Sequence, residues 1–143
     1  FPIHTGHSFY LTSEPSFYPE FSIYTKQHEL LRELSLKSDC VIVGRCADYI
    51  LREQKPVRIF AYADMESRIK RCMERRPEGE NLTEAQMRKR ITEIDRNRAK
   101  YYAFFSEQKW GARENYDLLV NTSGANITKL SSALCGYLEA LFE

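Results

Sequence analysis

Apolar positions between residues 21 and 37 recur at helical spacing, with Tyr24, Leu30, Leu31 and Leu34 in one stripe, and predict a helix there. Cys40-Val41-Ile42-Val43 then breaks the period. It is apolar without polar alternation, which predicts a strand buried on both faces, as in a parallel sheet. Gly44-Arg45 closes that run, and a helical pattern over 47–53 stops before Pro56, which cannot continue it. Residues 58–63 read as a second strand. Asp64 suits the N-cap of a helix over 65–76, with Ser67 behind it. A polar turn at 77–81 follows, and Thr83 with Gln86 forms a capping box opening a long helix to about residue 107. A third strand over 116–121 and a last helix over 127–142 complete the pattern. Residues 1–20 hold three prolines among aromatics with no period, and predict an irregular lead-in with a short strand at 8–11.

Alternating strands and helices with apolar strands predict an α/β fold, a parallel sheet flanked by helices. At 143 residues the chain suits one domain, 1–143, in which 64–108 form a lid-like helical region. No apolar run reaches the length of a membrane span, and the chain opens on no signal-peptide pattern. The expectation is a cytoplasmic protein without membrane or nucleic-acid partners, and a homo-oligomer is compatible with it.

Charge sharpens this picture. The net charge is +1, yet residues 66–100 carry eleven Lys/Arg against seven Asp/Glu, and the rest carries ten against thirteen. A basic segment on a near-neutral protein suits a compact polyanion better than a long one. Cys40, Cys46, Cys72 and Cys135 form no Cys-x-x-Cys pair and read as small buried hydrophobes in a reducing compartment. His4 and His7 read as part of a polar loop, and no metal site is assigned.

Three features carry candidate chemistry. Arg45 sits where the first strand ends, the edge at which such sheets bind ligands, and its planar guanidinium matches phosphate. In the long helix the stripe Met87, Ile91, Ile94, Tyr101, Phe105 is interrupted by Arg98, which needs an anionic partner. Asp95, three residues back, supplies either a structural ion pair or a means of holding that charge ready for phosphate. Finally Arg68, Arg71 and Arg75 share one helical face, and a second cationic run from Arg88 to Arg98 follows the turn, so the two helices could close over a phosphate chain. The aromatics Tyr101, Tyr102, Phe104, Phe105 and Trp110 read mostly as core.

Taken in order, Val43-Gly44-Arg45, Asp64-Met-Glu-Ser-Arg68-Ile-Lys-Arg71, Ile94-Asp95-Arg96-Asn97-Arg98-Ala99-Lys100-Tyr101-Tyr102, Gln108-Lys109-Trp110-Gly111 and Tyr116-Asp117-Leu118 running into Asn121-Thr122 resemble the cytidylate kinase-like group of nucleoside monophosphate kinases, within the P-loop kinases. The resemblance covers residues from about 21 to the C-terminus. It implies the three-layer P-loop kinase fold and transfer of the ATP γ-phosphoryl to a CMP-like acceptor, with Mg²⁺. It implies Arg45 and Asp48 on the acceptor, Arg68 and Arg71 as lid arginines on the donor phosphates, and Arg98 with Asp95 at the transferred phosphoryl. Such an arginine is worth about 10³–10⁵ in rate.

Two departures stand out. Cys46-Ala47 separates Gly44-Arg45 from Asp48, where cytidylate kinases have the Asp directly. None of the six glycines forms Gly-x-x-x-x-Gly-Lys-Ser/Thr, so the family's first strand and phosphate loop have no counterpart. The expectation is the C-terminal part of a longer kinase, inactive alone. A non-catalytic nucleotide-binding domain on the same scaffold is the alternative, and a P-loop kinase with another small acceptor is a third reading.

Overall fold

The computed structural model describes residues 17–77 and 79–142, with the backbone alone over 17–22. The predicted strand at 8–11 and His4 and His7 lie outside the described residues. The chain forms two compact units, one ending at Ile42 and the other beginning at Val43.

The first unit holds α1, Phe17–Lys37, which begins within the segment expected to be irregular. Leu31 is buried, whereas Leu30, Leu34 and Leu36 are exposed. The run 40–43 corrects the sequence reading, for it belongs to no strand. Val41 is 95% and Val43 88% exposed, where the sequence predicts burial on both faces. An apolar run becomes a strand only beside a partner that takes its backbone hydrogen bonds, and among the described residues none is paired with it.

Near the start of the second unit Gly44, Arg45 and Cys46 all lie in the left-handed region, at φ 73°, 60° and 53°. A single-turn helix α2, Ala47–Ile50, and a 3₁₀ turn over Arg52–Gln54 replace the longer helix expected at 47–53. Cys46, Ala47, Ile50 and Leu51 are buried and anchor this corner. Strand β1 (Ile59–Tyr62), helices α3 (Met65–Glu74) and α4 (Glu84–Ser106), strand β2 (Leu118–Asn121) and helix α5 (Ile127–Phe142) follow, close to their predicted places.

Among the described residues the sheet has two strands, β1 and β2, parallel, with Ile59 opposite Leu118 and Tyr62 opposite Asn121. The α3–α4 hairpin is the crossover between them. Asp64 accepts the Ser67 N–H at 2.7 Å, which starts α3. The reciprocal Thr83–Gln86 capping box starts α4. Ile69, Met87 and Ile91 are the buried centre of the hairpin, flanked by Met65, Cys72, Met73 and Leu82.

Both ends of the strand pair are fastened. At the start, Asp117 accepts from Arg58 three times, from the backbone N–H at 2.7 Å, Nε at 3.1 Å and Nη2 at 2.8 Å. The Arg58 guanidinium thereby holds the Asp117 carboxyl below its ordinary range. Phe60 packs against Trp110 and Tyr116, with ring centroids 5.3 and 4.8 Å away. The four cysteines are free thiols. Only Cys46 is buried, Cys72 is half-buried, and Cys40 and Cys135 are exposed, contrary to the expectation of four buried hydrophobes. No helix among the described residues is long and apolar enough to cross a membrane.

Candidate functional site

Arg45 stands exposed on the left-handed turn, with no hydrogen bond or ion pair among the described residues. An L-residue in that region costs about 1–2 kcal/mol. The buried neighbours on its C-terminal side hold the turn: Ala47 N–H reaches the Gly44 carbonyl at 3.1 Å, and Ile50 N–H the Cys46 carbonyl at 2.9 Å. The result is a free guanidinium on a backbone whose direction is fixed. Burial, aided by the Asp48 charge, pushes the adjacent Cys46 thiol up to about 12, so it stays protonated and unreactive at neutral pH.

Asp48 is not free. Its Oδ2 accepts the Tyr102 hydroxyl at 2.6 Å, joining α2 to the last third of α4. Tyr102 is 5% exposed, and burial first, then the bond to Asp48, raises its phenol well above the usual tyrosine range. Gln108 Oε1 lies 3.1 Å from the same hydroxyl. This contact explains Tyr102 chemically as well as by packing, since a buried phenol needs a partner for its O–H.

The structure brings Arg68, Asp95 and Arg98 together. Arg68 meets the Asp95 carboxylate with both terminal nitrogens, Nη1 at 2.6 Å and Nη2 at 2.8 Å. Arg98 Nη1 lies 3.6 Å from the same carboxylate, and its side chain is 61% exposed. The sequence placed Arg98 on an otherwise apolar seam with Asp95 as its candidate partner. The pairing is present, but the seam is corrected: Arg98 faces outward, and Asp95 is shared with Arg68 from the neighbouring helix. A carboxylate between two guanidinia leaves net positive charge, and Arg98 is the member with room for another anion.

Arg71 takes a different direction from Arg68. Its Nη1 and Nη2 both donate to Thr122 Oγ1 at 3.2 Å, and its Nε donates to the Ser67 carbonyl at 3.2 Å. Thr122 follows β2, so Arg71 is docked on the C-terminal end of the sheet. Ser123 Oγ accepts the Asp64 N–H at 2.8 Å beside it. Two cations of the expected lid are neutralised within their own region, Arg88 by Glu66 at 2.7 Å and Arg90 by Glu80 at 2.6 Å. Sequence reasoning named Thr122 only within the family-like stretch ending Asn121-Thr122 and gave neither it nor Ser123 a role. The available signal was a Thr-Ser pair immediately after an apolar strand, where parallel sheets place their ligands.

Among the described residues no group of three or more His, Cys, Asp or Glu could hold a metal. The sequence matches the model of the cytidylate kinase-like family over residues 5–124. The fold matches the crystal structure of an uncharacterized protein from Eubacterium ventriosum at 28% identity and a TM-score of 0.75, covering 87% of this chain and 69% of that one. No curated protein matches the sequence.

Proposed function

Because the chain belongs to the cytidylate kinase-like family, we propose that it carries the acceptor and lid portions of a nucleoside monophosphate kinase of P-loop type, acting between ATP and a CMP-like acceptor with Mg²⁺. The observation that carries this reading is the Arg68–Asp95–Arg98 cluster, built by two separate helices from the positions the family motifs predict. Arg45, the unpaired cation on a fixed turn, takes the acceptor phosphate. Asp48, held through Tyr102, stands three residues on and meets the sugar or base. Arg98 neutralises charge on the transferred phosphoryl, and Asp95 orients it while sharing its carboxylate with Arg68. Arg71 meets the donor phosphates. Phosphoryl transfer needs chiefly such positioning and charge stabilisation.

The glycine-rich cradle and lysine for the donor are not among the chain's motifs. A second reading is a nucleotide-binding domain on the same scaffold without turnover. Thermal unfolding with saturating CMP and with ATP–Mg²⁺, together with a coupled assay for nucleoside diphosphate, separates the two. Stabilisation by CMP that disappears in Arg45→Ala is the expected result, and stabilisation without product favours the binding domain. No shift with any nucleoside monophosphate or triphosphate overturns both.

A further inference from the structure

Arg71 differs from the other half-buried arginines of its helical pair. Arg68 and Arg90 each face a carboxylate, whereas Arg71 has none within ion-pair distance among the described residues. Its partners are neutral oxygens, those of Thr122 and Ser67. Three of the five guanidinium N–H groups are spent on them, which leaves two donors and a full charge.

What holds Arg71 is itself held. A threonine hydroxyl has one proton and two acceptor lone pairs. The Thr122 proton goes to the carbonyl of Tyr62, the last residue of β1, at 2.9 Å, and that carbonyl also accepts the Thr122 N–H at 2.7 Å. The lone pairs therefore face Arg71 and nothing else among the described residues. The orientation of the sheet's end is passed through one hydroxyl to one guanidinium.

We propose that Thr122 is a positioning residue that aims Arg71 at a phosphate group bound beyond the C-terminal ends of β1 and β2. This rests on the kinase reading above, and it adds a residue and a direction to it. Arg71 is a fixed cation of the sheet's end, and does not swing with the turn between α3 and α4.

Valine matches threonine in shape and lacks the lone pairs, while serine keeps them. Inorganic tripolyphosphate, which has neither base nor sugar, is titrated calorimetrically into the full chain and its variants. Thr122→Val weakens binding roughly fivefold, the worth of one hydrogen bond, and Thr122→Ser stays close to the parent. Arg71→Gln weakens it by about tenfold or more, and adding Thr122→Val to that background has no further effect, because the threonine acts through the arginine. Equal affinity in Thr122→Val and the parent, or a full additional loss in the double variant, overturns the proposal. Arg71 Nη–H exchange by NMR reads the aim without ligand, because these are the protons that donate to Thr122 Oγ1: slow in the parent and Thr122→Ser, fast in Thr122→Val. Slow exchange in Thr122→Val also overturns it. Thr122→Ala replaces Thr122→Val should the latter fail to fold. If the parent binds no tripolyphosphate the proposal falls, while the kinase reading is judged separately by stabilisation with CMP, so the two failures are distinguishable.

Discussion

Tyr102→Phe removes a single oxygen from the joint between α2 and α4. The phenol donates to Asp48 at 2.6 Å from a position 5% exposed. A hydrogen bond to a charged acceptor contributes about 1.5–3 kcal/mol, and Asp48 is half-buried, so water recovers part of its share and the expected loss is about 1–2 kcal/mol. For a chain of this size that lowers Tm by about 3–8 °C at pH 7. A pH signature separates this bond from lost packing. Tyr102 titrates higher folded than unfolded. Its contribution is thus complete below the unfolded tyrosine pKa of about 10 and is lost as pH rises beyond it. Phenylalanine has no such limb, so the gap in Tm between parent and variant narrows from pH 10 upward. Thermal unfolding by circular dichroism across pH 7–11 makes the measurement. Equal Tm at pH 7, or a gap that widens with pH, refutes the account.

Arg45→Gly removes a left-handed strain of about 1–2 kcal/mol and adds unfolded-chain entropy of about 0.5–1 kcal/mol, so the ligand-free Tm holds or rises slightly while stabilisation by CMP disappears. A clear fall in ligand-free Tm counts against the strain argument. Asp117 titrates lower folded than unfolded because Arg58 binds its charged form, so its contribution is present above about pH 4 and lost as pH falls. Asp117→Asn should therefore lower Tm at pH 7 and converge with the parent near pH 2–3 in an acid series; parallel curves would contradict the pairing. Gly111→Ala places a Cβ 3.0 Å from the Phe60 ring at φ +75°, and should cost about 1–3 kcal/mol in denaturant unfolding. An unchanged midpoint would mean that the ring moves freely.

Local signals in the sequence carried most of the helices. The caps at Asp64 and Thr83 fall where residue chemistry puts them, because a cap depends on three or four neighbouring residues. The stretch 40–43 reads as a strand but forms none, because a strand is a relation between segments and its own apolar residues do not supply the partner. The candidate site divides in the same way. Asp95 and Arg98 are legible as an i, i+3 pair, but the competition by Arg68 arises only when α3 and α4 pack. Nothing in the spacing of Asp48 and Tyr102 foretells their bond, which spans 54 positions. Thr122 was visible as a residue type, but its meaning depends on a carbonyl of β1.

The two strands meet over a separation of 59 residues, Ile59 against Leu118, and everything between them is the helical hairpin and its approach. Such a pairing closes a long loop before it gains any ladder bond, whereas the α3–α4 contact is local. Contact order therefore predicts the hairpin as the early event in folding and the sheet as the late one. The Arg58–Asp117 clasp and the Tyr62–Thr122 contact form together with the sheet, at its two ends. If Arg71 serves the phosphate site proposed above, it acquires its aim only as the sheet closes. Refolding should then show secondary structure recovering ahead of anion binding, with the interval between them timing that closure.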